Sequence, residues 1–284
     1  MAPELSNLFQ IKEKIRGPIV DGIFYPDDEN LLSEEIRYLL DEVDGNAGNS
    51  FGIIAPHAAL PFSGALAAAA FKSAAKRKID NVVIIAPVHR DEKDAVFLTE
   101  SESFTIPTGN IKVNRSIVNK LKNYDPCFQL NDLPHLEEHC IEVQLPFIHF
   151  LFPEASIIPV LIGSNSEDLL KKVIKAVNYV FKDKLAQTLF VISANMTCYL
   201  PAAEAHDICD EFLISIEEGN IDNIFMEVKK YKQKSKGLGC IAILLSLAGE
   251  NSIIKVLRKK DSSKYGCDND NIVCYAAITV DKTG

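Results

Sequence analysis

Two apolar runs in this chain end in the same tetrapeptide, Ile53-Ile54-Ala55-Pro56 and Ile84-Ile85-Ala86-Pro87, and each is followed within two residues by a histidine, His57 and His89. Imidazole ligates transition metals and carries a proton near neutral pH. A third run, Gln187–Ser193, is followed by Ala194-Asn195-Met196-Thr197-Cys198, which adds a thiol. Two histidines and a cysteine at three strand ends form a donor set suited to copper, zinc or iron. Each residue also has a plainer reading: a strand-end histidine is more often a hydrogen-bonded structural residue, and a lone cysteine a buried thiol. The repeated tetrapeptide tilts the balance for His57 and His89, because equivalent ends on parallel strands place both imidazoles over one sheet edge.

A fourth stretch, Glu138-His139-Cys140-Ile141-Glu142-Val143-Gln144-Leu145-Pro146, puts His139 and Glu142 at i and i+3, the spacing of one helical face. Such a pair can orient a ligand, handle a proton or coordinate metal; a helix-start ion pair or simple polar satisfaction carries equal weight. Pro146 is expected to kink or end that helix. The serine-hydrolase elbow, the Walker lysine loop, the dinucleotide glycine fingerprint and the paired-histidine zinc helix are all missing. Gly237-Leu238-Gly239 is too short for a phosphate loop and reads as close backbone entry to a helix.

The elements that position these residues follow from periodicity. Leu32, Ile36, Leu39, Leu40 and Val43 share a helical face, and the stretch from Asp44 to Asn49 ends it. Phe51–Ala55, an alanine-rich helix over Ser63–Lys76 and Asn81–Ala86 then form a βαβ unit, whose doubly apolar strands suit a parallel sheet covered on both faces. Two extended stretches within Ala95–Val113, around Pro107-Thr108-Gly109, read as a hairpin, and a helix begins near Arg115. Strands are predicted at Ser156–Gly163, Gln187–Ser193, Ile253–Leu257 and Ile272–Val280, and helices at Asp168–Phe181, Ala203–Ile216, Ile221–Lys232 and Cys240–Gly249. A polar loop spans Asp261–Asn271. In such sheets ligands bind beyond the carboxyl ends of the strands, where the histidines lie.

The chain of 284 residues, 47% hydrophobic and 24% charged, is read as one three-layer α/β domain over residues 1–284, with residues 1–15 as a peripheral N-terminal segment. A net charge of -9 with a pI near 5.2 argues against a nucleic-acid partner. Lys229-Lys230 and Arg258-Lys259-Lys260 are short and read as solvated faces. No signal peptide or membrane span is evident, and seven cysteines without a C-x-x-C pair indicate neither a disulfide framework nor a zinc ribbon. A cytoplasmic protein with reduced thiols is expected.

An ordered set of motifs then becomes specific: Arg16-Gly17-Pro18-Ile19-Val20-Asp21-Gly22 with Phe24-Tyr25-Pro26, Ala55-Pro56-His57-Ala58, Ala86-Pro87-Val88-His89, Thr108-Gly109, Glu138-His139 with Ile141-Glu142-Val143-Gln144-Leu145-Pro146-Phe147, and Pro159-Val160-Leu161-Ile162-Gly163. In this order they resemble the Memo family, from about Arg16 to the final strand. The resemblance implies a mostly parallel central sheet flanked by helices, similar to class III extradiol dioxygenases, which use non-haem iron(II). It also implies metal and redox chemistry, notably with copper, and, for microbial members as protein B of the AmmeMemoRadiSam system, radical SAM and AMMECR-type partners. Family site positions fall on His57 and His89. Where the family has Asp and His this chain has Asn195 and Cys198, and where a cysteine precedes a glycine-containing turn it has Lys236. Three functions follow: a metal-dependent redox or oxygen-using enzyme with His57, His89 and Cys198 as ligands and His139 or Glu142 handling protons, a non-catalytic module whose pocket, with Lys236, binds a small anion, metabolite or peptide, or an accessory subunit working beside a radical SAM enzyme.

Overall fold

Asp28 starts the first helix by accepting the backbone N–H groups of Asn30 and Leu31 on its side chain, and α1 (Glu29–Asp41) buries Leu32, Ile36 and Leu40. The computed structural model describes residues 13–45, 47–90, 92–249, 251–263 and 271–282. Most of the expected peripheral segment, residues 1–12, and residues 264–270 of the expected polar loop lie outside them.

The two repeated runs become β2 (Gly52–Ala55) and β3 (Asn81–Pro87), joined by α2 (Leu60–Lys72). They are not neighbours. β9 (Thr188–Ser193) lies between them and pairs in parallel with both, Ala55 standing opposite Ser193 and Ile85 opposite Ile192. The two tetrapeptides therefore reach the same sheet edge at nearly one level, with the end of β9 between them.

The sheet continues past β3 through β8 (Ser156–Ile162), β4 (Val96–Leu98) and β7 (Phe128–Leu130), and past β2 through β11 (Cys274–Asp281) to β10 (Ile253–Asp261). Its middle, β2-β9-β3-β8, is parallel, while β11 and β10 join antiparallel, as does β4 to β8. The expected α/β architecture with a mostly parallel sheet flanked by helices is the one observed. A small second sheet orders β1 (Ile15–Arg16), β5 (Ser103–Ile106) and β6 (Gly109–Lys112), the last two being the expected hairpin.

Helices cover both faces. α2 packs on β2 and β11 beside α1 and α5 (Leu145–Leu151). On the other face lies α9 (Leu238–Ala248), apolar on every side and almost wholly buried under α6 (Glu167–Phe181) and α8 (Ile221–Tyr231). Gly52 marks how closely α9 approaches, since a Cβ there would lie 2.4 Å from Leu244 Cδ1. α3 (Arg115–Lys122), α4 (Leu133–Glu137) and α7 (Ala202–Glu218) complete the set.

Three expectations need correction. α4 stops at Glu137 and Glu138 is extended, so His139 lies in an irregular turn before a short 3-10 turn at Glu142–Gln144, and His139 and Glu142 do not share a helical face. Pro146 sits in the first turn of α5 and opens a helix, the position where a missing N–H costs nothing. β10 runs on to Asp261, so Arg258 and Lys259 belong to an edge strand, where charge discourages further pairing. Among the described residues no helix is long and apolar enough to cross a membrane.

The Gly52–Leu244 approach yields an energetic expectation. Gly52→Ala should cost about 1–3 kcal/mol by overpacking. Combined with Leu244→Ala, the loss should be clearly less than the sum of the two single losses, as measured by urea denaturation.

Candidate functional site

Beyond the ends of β2, β9 and β3 lies a cavity of about 490 Å3. His57, His89, His139 and Asn195 line it together with Cys198 and Lys236, so six of the seven residues singled out from sequence meet in one place. Ring centroids stand 5.0 Å apart for His57 and His89, 5.8 Å for His57 and His139, and 5.7 Å for His89 and His139. Phe24 meets the His139 ring edge-on at 4.8 Å, and Phe62, Val273 and Tyr275 extend an apolar wall.

The hydrogen bonds behind the rings decide what the rings present. Gln144 Nε2 donates to the Pro56 carbonyl at 2.9 Å and to Ser193 Oγ at 3.0 Å, using both its hydrogens. Ser193 Oγ gives its one proton to the Cys140 carbonyl at 2.6 Å. At His57 Nδ1, 3.2 Å away, Ser193 can therefore only accept, which fixes the proton on Nδ1 and leaves Nε2 bare. Glu138 accepts from the His89 backbone N–H at 2.5 Å and from His89 Nδ1 at 2.7 Å, which places a proton on Nδ1. The backbone of His57 lies close to the His139 ring and favours its protonated form.

Burial lowers the pKa of His57 well below the ordinary 6.5, and the neighbouring His89 and His139 push it further. Burial and then His89 lower His139 in the same way. Glu138 resists ionisation through burial, but the hydrogen bonds and charge of His89 outweigh that, and its carboxyl falls below the usual range. Burial raises the Cys198 thiol, while the backbone N–H and charge of Lys236 pull it partly back.

Ligand atoms of His89, Glu138 and Cys140 all lie within 4.8 Å of one another, a grouping that could hold a cation. The Cys140 thiol donates to the Pro87 carbonyl at 3.4 Å and is held protonated by burial and then by Glu138. Both Glu138 oxygens already serve His89. This group acts as a carboxylate that orients an imidazole from behind, with the open coordination side in the cavity.

Glu142 is elsewhere, which corrects its assignment as a proton carrier of the pocket. Fully buried, it pairs with the equally buried Arg16 and accepts the N–H groups of Ile19 and Val20 and the Tyr25 hydroxyl. Arg16 also donates to the carbonyls of His135 and Glu138. The cluster fastens residues 16–25 to residues 135–142.

Sequence reading missed Ser193, Gln144 and Glu138. The available signal was polarity out of place: a serine closing an apolar strand, a glutamine in Val143-Gln144-Leu145, and a carboxylate beside His139. Asn195 does more than line the pocket, since its Oδ1 accepts the His57 backbone N–H at 3.1 Å. Lys236 Nζ bonds the His89 carbonyl and Glu92, each at 3.2 Å. The next residue, Gly237, packs closely on the end of β9, where a Cβ would lie 2.5 Å from Ala194 Cβ.

The family model described as Memo-like protein matches residues 16–279. The chain belongs to the Memo family. A MEMO1 family protein of Thermotoga neapolitana is 30% identical over 275 residues, covering 92% of this chain and 98% of that protein. A second, from Thermoplasma volcanium, is 26% identical over 270 residues, covering 93% and 97%. Among solved structures, an uncharacterized protein, JW3007, of Escherichia coli K12 matches with a TM-score of 0.54 and 9% identity, over 80% of this chain and 98% of that one, a likeness of fold alone.

Two outcomes follow for stability. Glu142→Ala leaves Arg16 buried without its counter-charge and should cost about 3–5 kcal/mol in a denaturant melt. The histidines set a pH dependence: burial also lowers His135, to about 4. Below pH 6.5 the unfolded chain takes up protons that buried His57, His135 and His139 refuse, so stability should be full above 6.5 and fall from there toward 4. His135 alone should account for roughly 2–4 kcal/mol, abolished in His135→Gln and measured as melting temperature against pH.

Proposed function

We propose that the cavity holds a transition metal, copper, iron or zinc, on the bare nitrogens of His57 and His89, and serves redox chemistry on a small molecule. The observation that carries this reading is that acceptors behind the rings hold the Nδ1–H of His57 and His89, and that both rings line one cavity. Imidazoles suit such ions, and the His57 and His89 rings, with centroids 5.0 Å apart, are spaced to share one at a metal–nitrogen distance of ~2.0–2.1 Å, while His139 stands further off at 5.8 and 5.7 Å. The His57 and His89 pair therefore fits the group. His139 is the third donor or, with ligands at the other two rings, the base that takes a proton from a bound molecule. Cys198, which lines the same cavity, would hold the ion as a thiolate. A metal in this place supplies Lewis-acid polarisation and, for copper or iron, electron transfer.

A second reading has its own support. Lys236 and the uncharged Asn195 favour a small anion or peptide carboxylate bound without metal, which would make the protein a binding module. A radical SAM or AMMECR-type partner and a cytoplasmic location belong to the proposal through the family. Co-purification at native expression tests the partner.

Anaerobic purification followed by elemental analysis, with and without added Cu(I), Fe(II) or Zn(II), tests the metal. About one ion per chain is expected, lost in His57→Ala and His89→Ala. Glu138→Gln should retain the fold and weaken affinity roughly 10–100-fold by releasing His89. Absence of uptake of all three ions by the wild-type chain would sink the metal reading.

A further inference from the structure

The imidazoles account for only one part of the cavity; the rest of its lining selects what lies beside them. Among the described residues that face it, no Asp or Glu appears and Lys236 carries the one fixed charge. Its partner Glu92 is half exposed, so that pairing is weak and exchangeable. Asn195 adds a directed donor: with Oδ1 committed to the His57 N–H, its Nδ2 hydrogens are left for a ligand. Lys236 Nζ donates to the backbone carbonyl of His89 at 3.2 Å, which holds the positive charge beside the residue whose ring lines the same cavity. Phe24, Phe62 and Val273 provide apolar and aromatic surface, in a volume within the usual ~300–1,000 Å3 of small-molecule sites.

These features ask for three things in one molecule: an anionic group for Lys236 and Asn195, a hydroxyl next to it for an imidazole nitrogen or the metal held there, and a flat apolar body. We propose that the pocket binds an aryl 2-hydroxycarboxylate, of which 3-phenyl-2-hydroxypropanoate is the simplest probe. The carboxylate lies at Lys236 and the Asn195 amide, the 2-hydroxyl at His57 and His89, and the ring against Phe24 and Phe62. The inference rests on the cavity being the functional site. It does not require the metal, because a bare nitrogen also accepts the hydroxyl proton.

Titration calorimetry on the full chain, metal-free and loaded with Zn(II), tests each feature by omission. The probe is compared with 3-phenylpropanoate, which lacks the hydroxyl, 3-phenyl-2-hydroxypropanamide, which lacks the charge, and 2-hydroxypropanoate, which lacks the ring. Each omission should weaken binding at least about tenfold, the size of about 1.4 kcal/mol. Lys236→Met should erase the preference for acid over amide, Lys236→Arg should keep it, and Phe62→Ala should erase the preference for the ring; thermal melts check that each variant is folded. Equal binding of acid and amide by the wild type, survival of that preference in Lys236→Met, or failure of all four compounds to bind either form would overturn the proposal. Elemental analysis keeps the metal separate: an acid preference in a chain that takes up no metal supports this ligand class while removing the metal reading.

Discussion

The hydroxyl of Ser193 has one proton and two lone pairs, and all three are in use. It gives the proton to the Cys140 carbonyl and accepts from Gln144 and His57. At the end of β9, it joins the end of β2 to the segment that carries Glu138 and His139. A hydroxyl buried this completely must be satisfied, and the directions of its bonds leave one tautomer open to His57. The chemistry of the cavity descends from that constraint, because a ring with its proton on the other nitrogen would present a donor where the pocket now has a lone pair.

Much of this was legible beforehand, for identifiable reasons. The twin Ile-Ile-Ala-Pro runs announced two parallel strands with level ends, since strands buried on both faces leave continuous apolar runs and the histidines follow at once. The order of the strands was not legible: nothing in the tetrapeptides says that β9 separates them. His139 and Glu142 were misread as a helical pair because three-residue spacing is informative only inside a helix, and here the helix ends at Glu137. Cys198 and Lys236 were found through strand-end reasoning and family resemblance, while Ser193, Gln144 and Glu138 escaped because their partners are distant in sequence.

Glu142 contributes to the pocket without entering it. By accepting the backbone of Ile19 and Val20 and the hydroxyl of Tyr25, it holds the segment on which Phe24 stands, and Phe24 closes the cavity against His139. A fully buried ion pair brings little net stability, yet losing one partner is severe. Here it secures the position of an aromatic wall.

The hydrogen bonds that define the cavity span long stretches of chain: 88 residues from Pro56 to Gln144, 136 from His57 to Ser193, 138 from His57 to Asn195 and 147 from His89 to Lys236. No local fragment contains the site, and closing loops of that length is entropically costly until the sheet has assembled. The cavity is thus a property of the completed fold, and whatever binds in it is linked to the folding equilibrium of the whole chain.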